Sequence, residues 1–143
     1  QLQKERGNQE FRAEHYDRAI NAYTQGISAL TLSDPAHKET AVVLFSNRAQ
    51  SYLNMDAPNH ADALADCDRA LELDPGYVKA RYRKAVALRG LGQNEGGNSK
   101  NLERALMELH EVIRMEPKNR NAIDLAQQIR DQVKASRNQE ETA

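Results

Sequence analysis

Small and apolar side chains recur along this chain largely at three- and four-residue intervals. Phe11, Ala19, Tyr23 and Ile27 form one series, Val43, Ser51 and Leu53 a second, and Leu64, Cys67 and Leu71 a third. Such spacing lines one side of a helix, whereas a half-buried strand would alternate every second residue, which no stretch does. Between the blocks stand Asp34-Pro35, Asp56-Ala57-Pro58, Asp74-Pro75-Gly76, residues 92–98 and Glu116-Pro117. Pro cannot continue a helix interior and Gly weakens one, so each of these predicts a stop. The pattern as a whole predicts about seven helices.

The blocks are related to one another. "ADALADCDRALELDP" (61–75) is echoed by "LERALMELHEVIRMEP" (102–117) and more loosely by "YDRAINAYTQGISAL" (16–30). In each, an Ala precedes a larger side chain by four residues (Ala63/Cys67, Ala105/Leu109, Ala19/Tyr23), and Ala70, Val112 or Gly26 follows three further on. The helices before them carry a small residue, Gly7, Ala49 or Ala85, where paired helices approach closely. This frame resembles the tetratricopeptide repeat, a helix-turn-helix unit of about 34 residues with an A-x-x-x-F element and a closing Pro. The resemblance implies an all-α, right-handed superhelical solenoid of three helix-turn-helix repeats plus a C-terminal capping helix. The repeats would span residues 1–33, 40–75 and 78–117, and the cap 119–136, so that one domain covers 1–136. Residues 137–143 ("RNQEETA") are expected to form a frayed polar tail. Loops longer than the family's are expected at 32–40, 54–62 and, longest, 93–101. The first helix would begin at or before residue 1, as in a domain cut from something longer.

Composition narrows the partners. The chain has 143 residues, 39% hydrophobic and 29% charged, which suits one globular domain rather than a disordered chain. No run approaches the roughly 20 apolar residues of a spanning helix, so no membrane partner is expected. A formal net charge of −1 argues against a general nucleic-acid binder, and any anion site should be local. Cys67 is the only cysteine, so no internal disulfide forms, which fits a reducing compartment and a cytoplasmic or nuclear location.

Against that neutral background one stretch stands out, "KARYRKA" (79–85). Each helical residue advances by about 100°, so Arg83 lies about 40° from Lys79, but Lys84 and Arg81 lie about 140° and about 200° away. Lys79 and Arg83 therefore share a face, and the other two point into water or along a neighbouring helix. Like charges four residues apart repel by a few tenths of a kcal/mol unless something negative lies over them. Lys4 and Asn8 repeat the spacing in the first helix, and Asn47 sits within the helix expected at 42–54. Asn is a poor interior helix residue because its side chain competes for backbone hydrogen bonds. In a tetratricopeptide array the first helix of each repeat lines the concave groove, where these five residues would converge.

As "KERGN" (4–8), "SNR" (46–48) and "KARYR" (79–83), the set resembles the carboxylate clamp of co-chaperone tetratricopeptide domains, whose pattern is K-x-x-G-N, S/T-N-R and K-x-x-x-R. The resemblance implies a peptide-binding co-chaperone or adaptor module that docks the C-terminal Glu-Glu-Val-Asp tail of heat-shock protein 90 or heat-shock protein 70. Lys4, Asn8 and Asn47 would grip the terminal carboxylate, Lys79 the Asp side chain, and Arg83 the peptide further upstream. Phe11 matches a position lining the pocket for the penultimate Val, or is simply core. Gln50 stands where relatives often have Ala, which alters that pocket. The other reading open to the same fold is a scaffold that binds an internal segment or a folded partner without recognising a terminal carboxylate.

Catalytic sets are not found, and no enzyme activity or cofactor is expected. "HEVIR" (110–114) lacks the second His of a zincin helix, and its apolar members belong to the repeat frame. Cys67 occupies a packing position, His15, His37 and His60 have no clustered partner, and "GLGQNEGG" (90–97) follows a helix rather than a strand, which reads as a flexible insertion.

Overall fold

The computed structural model describes residues 2–94 and 99–142. Among the described residues seven α-helices follow one another with no strand: α1 Leu2–Arg12, α2 Tyr16–Ser28, α3 Lys38–Asn54, α4 His60–Leu73, α5 Val78–Asn94, α6 Ser99–Met115 and α7 Arg120–Thr142. Local polar chemistry sets several of these boundaries. Asp34 accepts the Ala36 N–H at 2.9 Å and starts a 3-10 turn, Pro35–His37, that runs directly into α3. That turn starts α3 at Lys38 rather than at residue 42 and absorbs much of the loop expected over 32–40. Asn59 caps α4 by accepting from Asp62 N at 3.1 Å, and Asn119 caps α7 by accepting from Ala122 N at 3.0 Å.

Two expectations need correction. Residues 92–98 were expected to break the chain, yet Gly90 and Gly92 lie inside α5, which runs to Asn94. A Cβ at Gly90 would strike the His60 ring, and one at Gly92 would meet Leu102 at 3.1 Å. These glycines therefore let α4 and α6 approach α5 closely instead of ending it. The insertion read at 90–97 is helix as far as Asn94, and its remainder, 95–98, lies outside the described residues. At the other end α7 continues to Thr142, so the polar residues 137–142 prolong a helix rather than fray from one. Arg137 reaches Glu103 of α6 at 3.4 Å there.

Consecutive helices pack as pairs, α1 with α2, α3 with α4 and α5 with α6, while α7 closes against α6. The pairs stack through α2 on α3 and α4 on α5, and α3 also touches α5, which makes a solenoid of helical repeats. Alanine supplies half of the buried apolar positions among the described residues, which is what permits such close helix approach. The three alanines of the repeat frame, Ala19, Ala63 and Ala105, are fully buried, and so are their larger partners Cys67 and Leu109, with Tyr23 1% exposed. The largest apolar cluster joins Leu88, Leu102, Leu109, Val112 and Ile129 under the C-terminal helices. Among the described residues no helix is long and apolar enough to cross a membrane.

Candidate functional site

The site is organised by three successive residues of α3, Ser46, Asn47 and Arg48, which successive turns of about 100° aim at three different neighbours. Ser46, fully buried, faces α5, and both its carbonyl and its hydroxyl accept from Arg83 Nη1, at 3.0 and 2.7 Å. Asn47 faces α1 and donates from Nδ2 to Asn8 Oδ1 at 3.4 Å. Arg48 faces the outer layer, where Nε and Nη2 grip both oxygens of Asp66 in α4 at 2.8 and 2.6 Å, and Nη1 donates to Thr24 of α2 at 3.1 Å. Burial pushes the Asp66 carboxyl above its ordinary range despite those two bonds, and the same bonds raise the Arg48 guanidinium further. One helix turn thus fixes α1, α2, α4 and α5 relative to one another.

In α1, Gly7 and Asn8 depend on an aromatic residue of α2. A Cβ at Gly7 would lie 2.6 Å from Tyr23 Cδ1, so only glycine lets this buried ring pack against the helix. The Tyr23 hydroxyl then donates to Asn8 Oδ1 at 2.5 Å. With Tyr23 and Asn47 both donating to that oxygen, the amide nitrogen of Asn8 remains available as a donor. Burial raises the Tyr23 phenol above its ordinary value, while the nearby Arg83 and Arg12 cations oppose that shift. The repeat frame places Tyr23 in the core but gives no sign of this polar role, because the Asn8 contact lies fifteen residues away. Ser46 went unassigned for the same reason.

The four basic residues at 79–84 divide as their helical angles predict. Arg81 pairs with Glu108 of α6 at 2.9 Å, and Lys84 pairs with Asp68 of α4 at 2.9 Å. Lys79, exposed, and Arg83, half-buried, pair with no carboxylate among the described residues. Burial lowers the Arg83 guanidinium below its ordinary value, partly offset by Tyr77, Cys67 and Tyr23. A cation withdrawn from water with only neutral oxygens beside it is a strong anion acceptor.

A cavity of about 140 Å³ opens at this point, lined by Asn8, Phe11, Arg12, Tyr23, Asn47, Gln50 and Arg83. An adjoining cleft of about 400 Å³ is lined by Gln50, Val78, Lys79, Tyr82, Arg83, Glu116, Asn119 and Asn121. Gln50 and Arg83 belong to both, so the two form one groove along α1, α3, α5 and the start of α7. The structure therefore gathers Asn8, Asn47, Arg83, Phe11 and Gln50 at one cavity and Lys79 at the next. Lys4 lines neither and stands one turn before Asn8 on α1. Phe11 serves in two ways, packing against the Tyr23 and Leu44 cluster and meeting the Tyr16 ring edge-on at 5.3 Å while lining the cavity. Gln50 donates to Asn54 at 2.6 Å and puts a polar wall where a small residue would leave space.

The remaining reactive side chains stay in local roles. Cys67 is buried and its thiol is pushed up to about 12 by burial, which leaves it protonated and unreactive. His15 bonds Glu10 at 2.9 Å, and His37 accepts from Thr31 N at 2.9 Å. Val112 of "HEVIR" lies in the core. Among the described residues no group of three or more His, Cys, Asp or Glu side chains is placed to hold a metal ion.

Comparison with known proteins gives three informative relatives. Protein unc-45 homolog B of Xenopus tropicalis is 31% identical over 121 residues, which cover 85% of this chain and 11% of that protein. The chain thus spans about a tenth of that relative's length. Among solved structures, the second tetratricopeptide domain of human RPAP3, in complex with the HSP70 peptide SGPTIEEVD, is 32% identical with a TM-score of 0.73, covering 90% of this chain and 92% of that one. The first such domain of Spaghetti (RPAP3), bound to the HSP90 peptide SRMEEVD, is 32% identical with a TM-score of 0.74, covering 91% and 89%. No profile of a known protein family matches the chain.

Proposed function

We infer the function from one premise: the chain belongs to the tetratricopeptide-repeat family. We propose that it is a peptide-docking module of the co-chaperone clamp type, which binds the acidic C-terminal tail, Glu-Glu-Val-Asp, of HSP90 or HSP70. The observation that carries this reading is the uncompensated half-buried cation. Arg83 rests on Ser46 alone, faces a cavity with the amides of Asn8 and Asn47, and none of the seven residues lining that cavity is a carboxylate. An acidic peptide tail supplies the missing charge. Asn8, Asn47 and Lys4 would hold the terminal carboxylate, Lys79 the Asp side chain, and Arg83 the stretch upstream. Phe11 and Gln50 would bound the neighbouring side-chain pocket.

The three helix pairs support a division into three repeats at about 1–33, 40–75 and 78–117 with a capping helix after them. The reading also places the module in the cytoplasm, assigns it no catalysis of its own, and leaves client binding to other parts of a longer protein. Charge-assisted hydrogen bonds contribute about 1.5–3 kcal/mol each before the cost of ordering the peptide is subtracted. Micromolar affinity, about 8 kcal/mol, follows. Calorimetry with Met-Glu-Glu-Val-Asp tests the proposal directly. The free acid is expected to bind, with affinity falling as salt is added, and its C-terminal amide to fail. Equal binding of acid and amide would instead identify a scaffold for internal segments.

A further inference from the structure

The cavity beside Asn8 contains a cation that lies outside the five-residue pattern. Arg12 ends α1 one turn beyond Asn8, is exposed, and lines the 140 Å³ cavity together with Arg83. Its charge reaches into the site, since it opposes the burial-driven rise of the Tyr23 phenol. Among the described residues no hydrogen bond or ion pair engages its guanidinium, whereas the exposed Arg69, Arg114 and Arg137 each pair with a glutamate. Arg12 and Arg83 therefore line one small cavity along with the neutral amides of Asn8, Asn47 and Gln50, and no carboxylate belongs to its lining. Like charges so placed repel unless an anion joins them.

Distance along α1 says which anion. Lys4, Asn8 and Arg12 are spaced four residues apart on one face of the helix, so Arg12 stands about 12 Å along the axis from Lys4. An extended chain covers that span in about three to four residues. We infer that Arg12 is a further carboxylate-binding residue of the groove, which engages an acidic side chain of the docked peptide a few residues before its terminus. The inference rests on the peptide-docking reading above. Arg12 then selects for acidic sequence upstream of the terminal residue, independently of the group that recognises the terminus itself.

The test is a double-mutant cycle by calorimetry at low salt. Met-Glu-Glu-Val-Asp and its two single Glu→Gln forms are titrated into the wild-type domain, Arg12→Ala and Arg12→Gln, the last keeping the length of the side chain. Both variants are expected to weaken the parent peptide about threefold to tenfold. For one of the two Glu→Gln peptides the loss should shrink to less than about twofold, because the partner carboxylate is gone. An equal loss for all three peptides, or no loss for any, overturns the role of Arg12. The amidated parent peptide separates the two claims. If wild type binds it as well as the acid, the terminal-carboxylate reading fails while the Arg12 coupling is still measured; if wild type binds none of the peptides, both fail.

Discussion

Arg48 and Arg83 are the same residue type on adjacent helices of the solenoid, both partly withdrawn from water, and they have opposite surroundings. Arg48 meets Asp66 through two hydrogen bonds and Thr24 through a third, with the Phe45 ring 5.6 Å from its guanidinium carbon. Its charge is consumed inside the protein. Arg83 meets only the carbonyl and hydroxyl of Ser46 and borders two cavities. The difference teaches how to tell a structural cation from one kept for a ligand. Burial is common to both, so the presence or absence of an internal counter-charge is what separates them.

Removing Arg48 should give the largest effect. Arg48→Ala leaves the Asp66 carboxylate, itself 4% exposed, without its partner. Breaking a buried pair this way costs about 3–5 kcal/mol, read as a shift of the urea midpoint. The double variant Arg48→Met with Asp66→Leu should recover most of that loss, because neither charge then remains buried. Arg83→Ala should behave in the opposite way. It removes a desolvated charge that nothing negative balances, so stability should change by no more than about 1 kcal/mol, and helicity by circular dichroism should not change. Peptide affinity should nevertheless fall at least tenfold, about 1.4 kcal/mol. If Arg83→Ala unfolds the domain, or Arg48→Ala spares it, the distinction between the two arginines does not hold.

Much of this contrast could be read from the sequence because it depends on local geometry. Helical angles alone separated Lys79 and Arg83 from Arg81 and Lys84, and the structure pairs the latter two with Glu108 and Asp68. The alanine frame likewise located the buried positions Ala19, Ala63 and Ala105. What escaped was long-range chemistry. Tyr23 reads as a core aromatic until its hydroxyl is seen on Asn8, and the Gly7 of "KERGN" reads as a helix-contact residue until the Tyr23 ring is seen against it. Gly90 reads as part of a flexible insertion and Gly92 as a breaker because the His60 and Leu102 side chains that need their space lie in other helices. Arg12 carries no local signal either, being an ordinary basic residue at a helix C-terminus.

Tyr23→Phe isolates that hidden link with a smaller change. The ring still fills its place against Gly7, but the hydroxyl that holds Asn8 is lost. Stability should drop by about 0.5–1.5 kcal/mol, the net value of one hydrogen bond. Affinity should weaken by less than in Arg83→Ala, since the Asn8 amide becomes less well oriented without being removed. Unchanged affinity would show that Asn47 alone suffices to orient it.

The smallest effect comes from pH and again separates fold from groove. His60 packs its ring on Gly90 with Nδ1 buried and unpartnered, and burial lowers its pKa below the ordinary 6.5. A histidine depressed in the folded state takes up a proton more readily when unfolded. Its contribution to stability is therefore complete above about pH 6.5 and is lost as pH falls from there through the lowered folded value. The groove has no such dependence in that window: the Arg83 guanidinium stays charged, and peptide carboxylates, ordinarily near 3.9, stay ionised. Urea midpoints should accordingly decline as pH falls below about 6.5 while affinity measured on the folded domain holds steady. His60→Gln should flatten the decline. If affinity instead falls in parallel with stability, α4 and α5 transmit the protonation to Arg83, and the two regions are coupled rather than independent.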